Sequence, residues 1–186
     1  MVDRASALDG HYKSGRYGAE GEPGVTLTVV RELNLQQLAA WPETVKRVGQ
    51  LAAAALELDH VPAPGRAAEL DHAAMLRIEP LKWWLVNAAA HHLPGDEGAT
   101  LDISHSRTCI RIHGDNATDL LNRFLPLDLR SASFPRGSVA SSSLHHVGVT
   151  LWRSRAGFEL FIPRGFALSV WEVLFESARQ FGVEVV

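Results

Sequence analysis

The chain has 186 residues, 46% of them hydrophobic and 21% charged, with a formal net charge of -3 and a pI near 6.3. These are ordinary values for a globular chain that buries its own core, and they leave no general basic face for nucleic acid and no cationic face for a membrane. Cys109 is the only cysteine, which excludes an internal disulfide framework and a thiolate zinc site. The N-terminus lacks the apolar core of a signal peptide and no run reaches membrane-spanning length, so a soluble, cytoplasmic protein is expected.

Residues 1–24 are rich in Gly, Ser and charge with almost no large aliphatics, the composition of a flexible N-terminal arm. Tyr12 and Tyr17 sit among its basic residues, as they would in an arm that docks on a partner. Val25, Leu27 and Val29 then alternate with their neighbours as a strand does. Pro42 falls where a first helical turn tolerates proline. Val45, Val48, Ala52 and Leu56 follow as the apolar stripe of a helix that ends before Pro62-Ala63-Pro64-Gly65. Met75–Ile78 and Lys82–Val86 read as strands joined around Glu79-Pro80-Leu81.

The second half repeats this pattern. Leu101–Ser104 and Thr108–His113 read as strands, and Asp115 or Asn116 caps a helix with Ala117, Leu120, Leu121, Phe124 and Leu125 on one face, ended by Pro126. Strands follow near Val139–His146, Val149–Arg153 and Phe158–Ile162. A last helix carries Phe166, Val170, Leu174, Ala178 and Phe181, with Gly182 at its left-handed cap. The expected fold is α+β, in a domain over 25–186 made of two related halves, roughly 25–100 and 101–186.

Leu129 to Phe158 contains no carboxylate but holds Arg130, Arg136, Arg153 and Arg155 with His145 and His146. Such a stretch is either a charged hairpin edge that discourages strand addition or a contact surface for an acidic partner. Asp102, Ser104 and His105 could be read as a catalytic cluster. Consecutive strand side chains point to opposite faces, however, so Ser104 and His105 do not share one, and hydrogen bonding to neighbouring loops is expected of Asp102 and Ser104. His91-His92 and His145-His146 have no carboxylate or cysteine at ligand spacing, so metal binding is not expected. The sequon Asn116-Ala117-Thr118 stands on a helix start and is read as chance. Trp83, Trp84, Trp152 and Trp171 follow core positions, yet Trp83-Trp84 would turn one indole to each face of a strand. Since Trp and Arg favour interface centres, Trp84, Trp152, Arg153, Arg164 and Arg136 are the expected partner contacts.

From Leu101 onward the chain resembles the gamma subunit of heterotetrameric sarcosine oxidases. The likeness rests on Leu101-Asp102-Ile103-Ser104-His105-Ser106-Arg107, Gly114, Leu120-Leu121 and Pro126-Leu127-Asp128-Leu129. It continues through Phe134-Pro135-Arg136-Gly137-Ser138, Leu151-Trp152-Arg153, Phe158-Glu159-Leu160 and Pro163-Arg164-Gly165-Phe166-Ala167. Arg77-Ile78-Glu79-Pro80 and Lys82-Trp83-Trp84-Leu85 extend it to about Val25. That family resembles in turn the folate-binding fold of the glycine-cleavage T-protein. The resemblance implies an accessory subunit with alpha, beta and delta partners, in a complex that demethylates sarcosine oxidatively. FAD, FMN, NAD, tetrahydrofolate and zinc would be held by the other subunits, and no catalytic, cofactor-binding or metal residue is expected in this one.

T-protein-like enzymes carry paired Asp residues on a late hairpin, whereas this chain has Ser141-Ser142-Ser143-Leu144-His145-His146-Val147-Gly148-Val149-Thr150 there. Loss of a positioned acid or base removes about 10²–10⁴ in rate. The alternatives are the equivalent subunit of an N-methyl amino-acid dehydrogenase and a stand-alone folate-binding protein. Arg107-Thr108-Cys109-Ile110 does not match the Lys-Gly-Cys-Tyr motif of the tRNA-modification relatives of the fold.

Overall fold

The structure, a computed structural model, describes residues 5–89 and 92–186. The chain divides into two units, and the division does not fall near residue 100. The first unit takes the chain up to Glu32 with Ser106–Arg136 and Ser141–Val186, and the second takes Leu33–His105 with Gly137–Ala140. Strand pairing corrects the expected boundary: the strand at Val25–Val30 hydrogen-bonds to Arg107–His113, so the first strand of the supposed N-terminal half belongs with the C-terminal elements.

The second unit contains β3 (Leu35–Ala40), α1 (Val45–Ala54), β4 (Ala67–Glu69), β5 (Ala74–Glu79), β6 (Lys82–Val86) and β7 (Gly98–Asp102). Its sheet runs β4-β5-β6-β3-β7, antiparallel throughout. One face presents Leu38, Ala40, Met75, Trp83 and Leu85, which cluster with Val48, Ala52 and Ala53 of α1. The helix stops at Ala54, so Leu56 joins this cluster from beyond the helix end. Leu-Gln-Gln-Leu-Ala-Ala of β3 has no β-branched residue and gives no strand signal. Pairing with β6 on one side and β7 on the other makes it a strand, a case of tertiary context deciding β structure.

The first unit contains β1 (Gly15–Tyr17), β2 (Val25–Val30), β8 (Arg107–His113), α2 (Ala117–Asn122), β9 (Val139–Leu144) from Ser141 on, β10 (Val147–Ser154), β11 (Gly157–Pro163), α3 (Ala167–Ala178) and β12 (Val183–Val185). Its sheet order is β1-β12-β2-β8-β11-β10-β9, with β12 parallel to β2. Leu27, Val29, Ile110, Ile112, Leu160 and Leu151 are buried on one face by alternation. In α3 the buried stripe is Ala167, Val170, Trp171, Leu174 and Ala178. Phe166, expected on that stripe, lies in the preceding 3-10 turn and is 53% exposed. Gly182 ends the helical segment at φ +69, the left-handed position read from the sequence.

The two units share a succession: a strand, a helix, then three strands of which the last returns beside the first. It is β3-α1-β4-β5-β6 in one and β8-α2-β9-β10-β11 in the other.

The N-terminal arm is not a free tail. Leu8 is fully buried, β1 pairs with β12, Tyr12 lies 5.3 Å from the Trp171 ring and Tyr17 meets Phe175 edge-on at 5.2 Å. Composition under-counted this segment because two tyrosines and one leucine, with strand pairing, suffice to order it. Gly114 holds a second close approach: at φ +111, a Cβ there would overlap the carbonyl of Gly24. Gly114→Ala is therefore expected to lose about 2 kcal/mol or more, measured as a shift of the urea midpoint.

Candidate functional site

The Asp102–His105 segment proves to be a structural corner. β7 ends at Asp102, so Ser104 and His105 follow the strand instead of alternating along it. Ser104 Oγ accepts from the Leu35 N–H at 2.8 Å and donates to the Leu35 carbonyl at 3.3 Å, while the Ser104 N–H donates to Asp102 Oδ1 at 2.9 Å. The hydroxyl is thus used twice to tie this turn to β3, and His105 points to solvent.

The hairpin of β9 and β10 is closed by only two residues, His145 and His146, both exposed, with His145 at φ +51. β9 forms an edge of its sheet, and its Ser141 and Ser143 are exposed. His145 rests against Phe124, ring centroids 5.7 Å apart. His92 is exposed, and His91 lies outside the described residues. Among the described residues no group of three or more His, Cys, Asp or Glu is gathered as a metal would require.

The expected partner contacts separate into two sets. Trp84 is 3% and Trp152 6% exposed, so neither presents a surface in this structure. Both faces of β6 are covered, which is why neither indole of Trp83-Trp84 is left out; Trp84 Nε1 donates to Gln37 Oε1 at 3.1 Å. Arg153 works inside its own unit. Its Nη1 donates to the carbonyls of Phe134 at 2.8 Å and Leu129 at 3.2 Å, its Nη2 to Ser131 Oγ at 3.1 Å, and the guanidinium lies 5.0 Å from the Phe158 ring centroid. Arg136 and Arg164 remain exposed, the latter donating to the Ala5 carbonyl at 2.9 Å. Phe166, two residues on, adds an apolar surface group that the helical reading had placed in the core.

The loop that Arg153 holds has an internal knot of its own. Asp128 accepts from Arg130 Nη2 and Ser133 Oγ, each at 2.6 Å, and from Arg130 Nε at 2.8 Å. These bonds, Arg130 first, hold the Asp128 carboxyl well below the usual carboxylate range. Its folded-state value is depressed, so its contribution is present above the ordinary carboxylate pKa and fades as pH falls below it.

A buried polar set escaped the sequence reading. Glu159, on β11, is 3% exposed and accepts from Arg111 Nε at 2.6 Å, Ser154 Oγ at 3.1 Å and Cys109 Sγ at 3.5 Å. Register explains the convergence: Glu159 faces Arg111 across β8 and Trp152 across β10. A lone acid inside Phe158-Glu159-Leu160-Phe161-Ile162 was the available signal. Burial pushes the Cys109 thiol well up, and the Glu159 carboxylate adds to it. A thiol raised in the fold contributes stability below its ordinary pKa that is lost as pH rises through the folded value. Iodoacetamide at pH 8 should accordingly alkylate native Cys109 on the order of 100-fold more slowly than the urea-unfolded chain. Comparable rates would show that the sheet opens there.

The α+β fold itself is of a kind found in a sarcosine oxidase and an aminomethyltransferase of known structure. Heterotetrameric sarcosine oxidase from Corynebacterium sp. U-96, solved in complex with pyrrole 2-carboxylate, contains a chain that superposes with a TM-score of 0.74 at 24% identity. That superposition covers 89% of this chain and 88% of that one. Glycine cleavage system aminomethyltransferase T from Bartonella henselae aligns with a TM-score of 0.60 and 18% identity, over 88% of this chain but only 48% of its own. In sequence, the aminomethyltransferase of Koribacter versatilis (strain Ellin345) is 33% identical over 87 residues, spanning 44% of this chain and 23% of that enzyme. No family model matches the chain.

Proposed function

We propose that this chain is the gamma-type accessory subunit of a heterotetrameric sarcosine oxidase, with alpha, beta and delta subunits as partners, in a cytoplasmic complex that oxidises sarcosine to glycine. The observation that carries the reading is the mutual coverage of the superposition. The sarcosine oxidase chain is matched along 88% of its length, whereas the aminomethyltransferase is matched along less than half. FAD, FMN, NAD, tetrahydrofolate and zinc then belong to the other subunits. The β9–β10 hairpin offers no carboxylate for proton transfer at folate, so no one-carbon step is assigned to this chain. The shared succession of the two units supports reading them as related halves.

Partner contact is assigned to the exposed Arg164, Phe166 and Arg136 rather than to the buried tryptophans. Substituting Arg164 and Phe166 together by alanine should lower the yield of assembled complex about tenfold while turnover per flavin stays unchanged. Normal yield with lowered turnover would contradict the accessory role.

A second reading has support from the aminomethyltransferase match: folate binding without chemistry by the chain alone. A titration of the isolated chain with tetrahydrofolate decides it, since saturable binding would favour that reading.

A further inference from the structure

β9 ends its sheet without the devices that close most edges. The opposite edge, β1, is three residues long, and its Arg16 is held by Glu22 and Glu184. β9 is six residues long, Val-Ala-Ser-Ser-Ser-Leu, with no proline, glycine or charge to blunt it. Its hairpin turn fixes which backbone groups look outward. Where two residues close a hairpin, the residues flanking them exchange both hydrogen bonds, here Leu144 and Val147. By alternation Ser142 also bonds towards β10, while Ser141 and Ser143 turn their N–H and C=O to the open side. Val139 has the same parity, and its N–H donates outside the hairpin, to the Gly65 carbonyl at 2.8 Å. The Gly137 carbonyl accepts from the Ala67 N–H at 2.8 Å, so the start of this edge is already taken by residues 65–67. Among the described residues no backbone group from outside the hairpin bonds to Ser141 or Ser143, and both are exposed.

Such a row recognises another extended backbone, because only that offers donors and acceptors at the strand repeat. The serine side chains are too small to obstruct its approach. Charge selects the kind of segment. Between residues 129 and 158 the chain has no carboxylate, and Arg136, His145, His146 and Arg155 are exposed there. These groups oppose a lysine-rich strand and favour an acidic one. They also disfavour a second copy of β9, since antiparallel self-pairing would set Arg136 of one chain towards His145 and His146 of the other. We propose that the outer edge of β9, at residues 141–143, takes up an extended acidic segment of a partner polypeptide as a further strand. The edge belongs to this chain alone, so the proposal does not rest on the assembly proposed above.

The test is nuclear magnetic resonance on the full, isotope-labelled chain, titrated with the blocked peptides Glu-Val-Thr-Val-Glu and Lys-Val-Thr-Val-Lys. In the free chain the Ser141 and Ser143 amides should exchange with solvent at least about tenfold faster than those of Ser142 and Leu144. The acidic peptide is expected to shift the Ser141 and Ser143 amides saturably at millimolar concentration, with the lysine peptide about threefold weaker. Ser143→Pro removes an outward N–H and leaves the β9–β10 ladder intact. It should therefore preserve the spectrum of the rest of the sheet and weaken the acidic peptide about fivefold. Four results would each overturn the proposal. They are protected Ser141 and Ser143 amides in the free chain, no saturable shift at about 20 mM acidic peptide, equal or tighter binding of the lysine peptide, or unaltered binding by a folded Ser143→Pro chain.

Discussion

Trp83→Ala lowers the stability of the chain by about 3–5 kcal/mol, the range for truncating a fully buried aromatic in a close-packed core. Trp83 is 0% exposed and stands at the centre of the cluster of Leu38, Met75, Leu85, Val48 and Ala52. Neighbouring atoms are tightly set: a Cβ added at Gly49 of α1 would come within 3.2 Å of the indole. The Arg77 guanidinium lies 5.2 Å from the ring centroid and loses that contact in the variant. Trp83 Nε1 has no hydrogen-bond partner among the described residues, so Trp83→Phe removes a buried, unsatisfied donor along with some volume and should cost markedly less than alanine. Urea midpoints of the two variants check the ordering. Equal losses would mean that the indole nitrogen is satisfied in solution.

Glu159→Ala is expected to cost about 3 kcal/mol, the lower end of the range for breaking a buried ion pair. The lower end applies because the side chains are unequally exposed, 37% for Arg111 and 5% for Glu159, so the orphaned guanidinium can rehydrate in part. The alanine also leaves Cys109 Sγ without its acceptor, while Ser154 Oγ keeps the Gly157 carbonyl at 3.2 Å. Glu159→Gln keeps an acceptor at the same place and should lose less. Thermal unfolding of both, with Cys109 alkylation as a local probe, measures the cost and its location. A neutral Glu159→Ala would show that the pair contributes no net stability.

Much of the fold was written in local pattern. β6 occupies the bounds the apolar run gave, β8 and β11 are each off by one residue at most at either end, and Gly182 takes the positive φ its place after a helix implied. What local pattern did not carry was pairing. β3, β4, β1 and β12 are short or poor in β-branched residues, and each exists because a neighbouring strand completes its hydrogen bonds. The division at Glu32 and Ser106 is illegible for the same reason, since it depends on β2 choosing β8 as its neighbour.

The site was less legible than the fold. Residue type alone nominated Trp84, Trp152 and Arg153 as partner contacts, whereas both tryptophans are buried in covered sheet faces and the half-buried Arg153 clamps a loop. Phe166 went the other way, because a 3-10 turn broke the helical period that would have buried it. The arm's tyrosines were noticed for a partner and turned out to have one inside the chain, on α3. The hydrogen bonding of Asp102 and Ser104 was legible from the sequence, because a short polar pair at a strand end has few other uses.

The central claim, that this chain is an accessory piece of a flavoenzyme complex, is tested most directly by co-expressing it, tagged, with the larger subunits and recording the visible absorbance of the purified material. The account predicts flavin absorbance and large subunits retained in equal stoichiometry with the tagged chain. A colourless monomer, stable by itself and free of partners, would contradict it.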